Sequence, residues 1–444
     1  MHLDLRIMGG TIVIGSKSLQ ADIGVLEGKI WQVGDLREAT SEVTLDATHL
    51  HVLPGGIDTQ VHFREPGLTH KEDLESGTRA AIMGGITTIF EMPNTDPTTT
   101  SEEALNEKLD LAYGRTWTDH AFFVGASKEN VDELGHLENL PGTPGIKIFM
   151  GSSTGPLLVD DDEHLRRVLM SCRRRSPVHA EDEARLRERK AMRSPGEPHV
   201  REHPIRRDAE AARLATERIL RLSAETGHPI HVLHVSTRDE LPLLADAKRK
   251  GLNTTCEVTP QHLTLNADAY ETLGTKVQMN PPIRSEVHRQ GLWQAVKAGL
   301  FDVFGSDHAP HTTYEKSQPY PDSPSGIPGV QTMLPILLDW VHKGELPLNQ
   351  LVRMLCENPA QIYNVHGKGR IEPGFDADLT VVDLDKEWII ENEWLQSHCG
   401  WSPFEGMNIH GRIEHVFLSG HHMVADGALI GRMIGRPVRF VEGH

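Results

Sequence analysis

The chain has 444 residues, 38% of them hydrophobic, which is enough for a sizeable core and long for one domain unless an α/β barrel takes most of it. Lysine and arginine number 45 against 63 acidic residues, a formal charge of −18. That surface argues against nucleic acid and anionic membranes as partners, so an anionic substrate has to be captured by local cations. The N-terminus lacks a basic-then-apolar secretory signal and no apolar run is long enough to span a bilayer. Four scattered cysteines form no C-x-x-C pair. Together these point to a cytoplasmic chain without a disulfide frame.

Residues 1 to about 50 have the character of short β structure, with a hairpin predicted around Gly28 between Asp22–Leu26 and Lys29–Val33. The far end has the same character, with a strand over Leu379–Val382 and then His415–Leu418 turning through Ser419-Gly420 into another. Packed together, the two ends are predicted to make one composite β domain from residues 1–52 and 367–444. Between them, over 53–366, strand-like runs alternate with helical segments such as Asp208–Glu225. The runs end near Asp58, Glu91, Val124, Met150, His179, His234, Glu257 and Ser306. Eight β/α units predict a TIM barrel, in which chemistry collects at the C-terminal strand ends. Two long loops are expected, Asp182–Arg207 and the proline-rich Thr312–Gly329, the latter placed as a plausible lid.

The strand ends carry the reactive side chains. Gln60-Val61-His62-Phe63-Arg64-Glu65 follows the first strand, and residues two apart on a strand face one side, so His62 and Arg64 are expected to share a cavity. Lys147 lies in the apolar run Gly145–Met150, where a bare cation is costly to bury. His179, His234 and Asp307 end the fifth, sixth and eighth runs. Imidazoles with a carboxylate suit zinc. His308 and His231 are read as structural or supporting, and Gln261-His262 as loop.

Four ordered motifs then resemble one family. Val61-His62-Phe63-Arg64-Glu65-Pro66-Gly67, Glu91-Met92-Pro93-Asn94-Thr95, Asn280-Pro281-Pro282-Ile283-Arg284 and Ser306-Asp307-His308-Ala309-Pro310-His311 are similar to those of dihydroorotases. Within these the likeness is to the longer, bacterial type I group of the amidohydrolase superfamily of cyclic amidohydrolases. It covers nearly the whole chain, including Gly369–Leu379. The resemblance implies a carbamylated Lys147 bridging two zinc ions, with His179 and His234 on one and His62 and Asp307 on the other. It implies Asp307 as the proton-transferring group. It also implies Arg64, Asn94 and His311 around the substrate carboxylate, with Asn280 on the pyrimidine ring. The activity implied is reversible hydrolysis of dihydroorotate to N-carbamoyl-L-aspartate in pyrimidine biosynthesis, by a homodimer that can associate with aspartate transcarbamoylase. One departure stands out. The superfamily reads His-x-His on the first strand where this chain has Gln60-Val61-His62, and glutamine is the poorer zinc ligand. Zinc is therefore expected as one or two ions, two if Lys147 is carbamylated. A hydantoinase or allantoinase, or a non-catalytic subunit beside a transcarbamoylase, are the competing readings.

Overall fold

The computed structural model describes residues 2–15, 17–152, 157–192, 194 and 196–441. Its first five strands are β1 (His2–Ile14), β2 (Lys17–Leu26), β3 (Lys29–Gly34), β4 (Thr40–Asp46) and β5 (His51–Pro54). The predicted hairpin is there, between β2 and β3. Glu27 and Gly28 make its turn with φ of 53° and 75°, the left-handed pair that matches the twist of a two-residue hairpin.

The next strands build the barrel: β6 (Gly56–Val61), β7 (Ile86–Glu91), β8 (Asp119–Phe122), β9 (Val124–Gly125), β10 (Ile146–Phe149), β11 (Ser176–His179), β12 (Ile230–Val232), β13 (Thr254–Val258) and β14 (Val303–Phe304). All pair in parallel. β8 and β9 are one barrel strand broken at Phe123; its first half pairs with β7 and its second with β10. The ring closes where Val61 pairs in parallel with His308 and the His62 amide donates to the His308 carbonyl at 2.8 Å. Helices alternate with these strands. The longest covers Ala209–Thr226, capped by Asp208, which accepts from the Ala211 amide at 3.1 Å, and ended by Gly227 at φ 73°.

The chain then returns to its beginning with β15 (Leu379–Ile389), β16 (Asn408–Leu418), β17 (His421–Ala425) and β18 (Ala428–Leu429). β15 lies antiparallel to β5, with Val381 opposite Val52. Leu5, Ile7, Ile23 and Val25 from one end share a core with Leu379, Val381 and Phe417 from the other. β1 pairs with β4 along its first half and with β5 at Thr11 and Ile12, so the sheet folds over that core as a sandwich. The fold is a TIM barrel with a composite β-sandwich. No helix among the described residues is long and apolar enough to cross a membrane.

Several local expectations are corrected. Asp182–Arg207 is not plain loop: it contains helices Glu183–Lys190 and His203–Arg206, although Arg193 and Pro195 lie outside the described residues. Gln261 and His262 are buried on the short helix Pro260–Thr264. Thr312–Gly329 carries a helical turn, Thr313–Lys316. There the buried Lys316 Nζ donates to the carbonyls of Gln278, Pro324 and Gly326 at 3.0, 2.9 and 3.0 Å, which ties the segment to the barrel.

Lys368 joins barrel and sandwich. Its ammonium is 2.7 Å from Asp119 at the start of β8 and also pairs with Asp376 and Asp378, which lead into β15. Removing it leaves buried carboxylates uncompensated. Lys368→Ala is expected to lose about 3–5 kcal/mol in denaturant unfolding. A loss under ~1 kcal/mol, the range of an exposed pair, would mean that the junction does not depend on this charge.

Candidate active site

At the C-terminal ends of the barrel strands a cavity is lined by Gln60, His62, Arg64, Asn94, Lys147, Phe149, His179, His234, Asn280, Asp307, Ala309, Ser325 and Gly326. Eight of the nine side chains singled out from the sequence therefore line one cavity. The ninth, His311, is fully buried behind Arg64, with its Nε2 3.4 Å from the guanidinium. Ser325 and Gly326 come from the long segment after the last strand and had no signal in the sequence beyond that segment's length.

The route by which Arg64 arrives differs from expectation. β6 ends at Val61, so His62 and Arg64 are not alternate residues of one strand. Arg64 turns into the cavity through a left-handed backbone, φ 65°. His234 and Asp307 leave their strands in the same way, at φ 35° and 44°. Non-glycine residues are held there only where the surroundings impose it, and such positions concentrate at functional sites.

The nitrogen and oxygen donors form two pairs. His179 Nδ1 is 3.0 Å from His234 Nε2. His179 Nε2 faces Glu181 Oε2 at 2.9 Å and donates to it, which leaves Nδ1 as a lone pair aimed at His234. Glu181 is buried and paired with Arg207. Burial alone would raise its pKa, but Arg207 and His179 hold the carboxyl well below its usual range. The second pair is His62 Nε2 and Asp307 Oδ1, 3.3 Å apart, with His62 Nδ1 2.7 Å from Asn94 Oδ1. Burial pushes the pKa of His62, His179 and His234 below the ordinary imidazole value, favouring the neutral, ligating form.

Lys147 acts electrostatically on both pairs. Among the described residues no carboxylate lies within 4.0 Å of its Nζ, which sits over the Phe149 ring at 4.6 Å. Burial brings its pKa down to about 7. An amine that is substantially neutral at physiological pH can add carbon dioxide, turning a costly buried cation into an anionic oxygen ligand. No cluster of three His, Cys, Asp or Glu side chains suited to a metal occurs among the described residues. The residues that could hold a metal on this side are His179, His234 and, once carbamylated, Lys147, which line the same wall. The facing ring nitrogens, His179 Nδ1 and His234 Nε2 at 3.0 Å, fit such a role.

Arg64 is 1% exposed, and burial lowers its pKa to about 10. Its Nε donates to the Pro310 carbonyl at 3.2 Å, yet no described carboxylate is within 4.0 Å of it. Across the cavity, His203 Nε2 is 3.0 Å from Asn280 Oδ1 and 2.9 Å from the Met279 carbonyl, so it donates and fixes the amide of Asn280. His203, Glu181 and Arg207 were not singled out from the sequence. Glu181 could have been found, two residues past His179. Glu257 lies beneath the site on β13 and accepts from the His234 amide at 3.3 Å and from Thr59 at 3.1 Å; burial pushes its pKa up to about 8. His308 is supporting, as expected: its Nδ1 accepts from the Gly329 amide at 3.0 Å and its Nε2 faces Glu72 at 3.4 Å.

Known proteins are similar to this chain along most of its length. The model of the amidohydrolase family matches residues 51–140 and 194–423. The dihydroorotase of Methanosarcina acetivorans is 36% identical over 91% of this chain and 89% of its own. The allantoinase of Salmonella choleraesuis is 33% identical over 95% of each. The L-hydantoinase of Arthrobacter aurescens superposes with a TM-score of 0.95 at 30% identity, covering 98% of this chain and 99% of that one. With its barrel, its paired histidines and its buried lysine, this chain belongs to the amidohydrolase family.

Proposed function

We propose that the chain is a dihydroorotase, which hydrolyses (S)-dihydroorotate reversibly to N-carbamoyl-L-aspartate in pyrimidine biosynthesis. The observation that carries this reading is Arg64. A guanidinium cannot shed its proton at physiological pH, and burying it without a counter-ion is costly. A substrate carboxylate supplies the missing charge in a geometry the planar fork accepts bidentately. The neutral ring of a hydantoin gives Arg64 nothing to pair with, which sets the dihydroorotase relative above the allantoinase and hydantoinase ones.

In this reading His179, His234 and carbamylated Lys147 hold zinc, with His62 and Asp307 opposite. Zinc, when bound there, acidifies water and polarises a carbonyl. Arg64 anchors the carboxylate, with His311 behind it and Asn94 beside it, and Asn280 orients the ring. Asp307 takes the proton from the attacking water. As the ring C–N bond breaks, it hands that proton to the departing nitrogen, leaving a carboxylate and a ureido group. The four cysteines are buried and unpaired, which suits the cytoplasm where we place the chain. A homodimer, alone or beside aspartate transcarbamoylase, is the assembly proposed with it.

The direct test is ultraviolet loss of dihydroorotate with zinc-loaded protein at mildly alkaline pH; no turnover by folded, zinc-bearing protein would reject the assignment. Arg64→Ala removes a charged hydrogen-bond partner of ~1.5–3 kcal/mol. It is expected to lower kcat/KM by about 10- to 150-fold without lowering Tm. A change under twofold would remove the carboxylate role. Asp307→Ala should fold normally and lose turnover, and full activity there would end the proton-transfer role. Lys147→Ala should lose both zinc and activity. In the parent protein, zinc uptake in bicarbonate buffer should rise from pH 6 to pH 8. The neutral amine grows as pH passes about 7, and only that form adds carbon dioxide. Zinc retained by Lys147→Ala at the level of the parent protein, or uptake indifferent to pH, would rule out the carbamate.

A further inference from the structure

The first histidine of the superfamily pattern is replaced here by Gln60, and the structure shows what its carboxamide does instead. Gln60 is buried on β6. Its peptide nitrogen donates to Asp58 Oδ1 at 3.1 Å, and the same oxygen accepts from the Ser306 amide at 3.1 Å. The backbone at Gln60 is thus fixed against the residue that precedes Asp307. From this position Gln60 Nε2 donates to Asp307 Oδ1 at 3.0 Å, while Gln60 Oε1 is buried with no partner. The orientation follows from charge. Turning the amide over would aim the lone pairs of Oε1 at a carboxylate, whereas the NH₂ end attracts it.

The two halves of the site are therefore unequal. On one side His179 Nδ1 and His234 Nε2 face each other at 3.0 Å, with Lys147 on the same cavity wall. On the other, His62 and Asp307 find as their third neighbour an amide whose donor end is already committed to Asp307. To bind a cation Gln60 has to reverse, abandon that hydrogen bond and offer a neutral carbonyl, a weak ligand for zinc.

We propose that Gln60 is a positioning residue for Asp307, holding Oδ1 as a donor, and that the chain retains a single tightly bound zinc on the Lys147–His179–His234 side. This rests on the zinc-hydrolase reading above. It departs from the two-ion arrangement that the family resemblance implies.

The test is zinc per chain, by elemental analysis of protein loaded with excess zinc in bicarbonate buffer and then gel-filtered. One ion is expected in the parent protein and two in Gln60→His. Gln60→Glu, close to isosteric and supplying an anionic oxygen, gives the same reading if the histidine variant fails to fold. Two ions retained by the parent protein would overturn the inference and leave the hydrolase reading standing. One ion in all three proteins would show that Gln60 is not what limits binding, and would overturn it as well. No zinc in any of them would remove the metal reading and the inference together. For positioning, Gln60→Leu keeps one zinc and is expected to lower kcat at least tenfold with KM within twofold. An unchanged kcat would overturn that part.

Discussion

Two cations, Arg64 and Lys147, are buried against one cavity on whose wall Asp307 is the sole described carboxylate. Most of what distinguishes the site follows from that imbalance. Lys147 can relieve it from within, by giving up its proton or by becoming an anion. Arg64 cannot, and its charge persists until something negative arrives. Asp307, Glu91, Glu315 and Glu72 favour the Arg64 charge only from beyond ion-pair distance, and the acids beneath the site are themselves weakened. Burial pushes Asp58 up to about 7 and Glu257 up to about 8, so near neutral pH both carry much less than a full charge. The chain as a whole is strongly acidic, which repels an anionic substrate at long range. Capture is thus a short-range event at the strand ends.

The same region stores backbone strain. Arg64, His234 and Asp307 each take a left-handed conformation, at a cost of about 1–3 kcal/mol apiece. Neighbouring hydrogen bonds offset it. The Leu68 amide donates to the Arg64 carbonyl at 3.0 Å, and the His234 amide donates to Glu257. Gly305, just before the turn at Asp307, has no room for a side chain: a Cβ there would lie 2.2 Å from Glu257 Oε2. The strands are thus cut short, and the reacting side chains are delivered by the tight bends that follow them.

Much of this was legible in the sequence. Apolar runs interrupted by His62, Lys147, His179, His234 and Asp307 announce a strand whose far end is polar for a reason, and the barrel follows from counting them. The hairpin at Gly28 and the helix after Asp208 were visible because turn and cap residues act locally. What stayed hidden is what acts across distance or through the backbone. Nothing near Glu181 says that Arg207 pairs with it. Nothing in His203 says that it fixes Asn280. Ser325 and Gly326 reach the cavity by the path of their segment, which side-chain identity does not encode. Arg64 was placed in the right cavity for the wrong geometric reason, because a left-handed residue breaks the alternation on which strand reasoning depends. Gln60 was conspicuous, but only the position of Asp307 in space reveals which end of its amide is engaged.

The pairing of β5 with β15 sets a condition on how the molecule is made. Val52 and Val381 are neighbours in the finished sheet, yet the whole barrel is synthesised between them. As the chain leaves the ribosome, one edge of β5 has no partner until the last strands emerge, and an open edge is a template for pairing with other chains. Barrel closure waits in the same way, since Val61 meets His308 only after the intervening strands exist. Assembly is therefore governed by contacts of very long sequence separation. Productive expression should depend more on what shields that early edge during synthesis than on the stability of the completed fold.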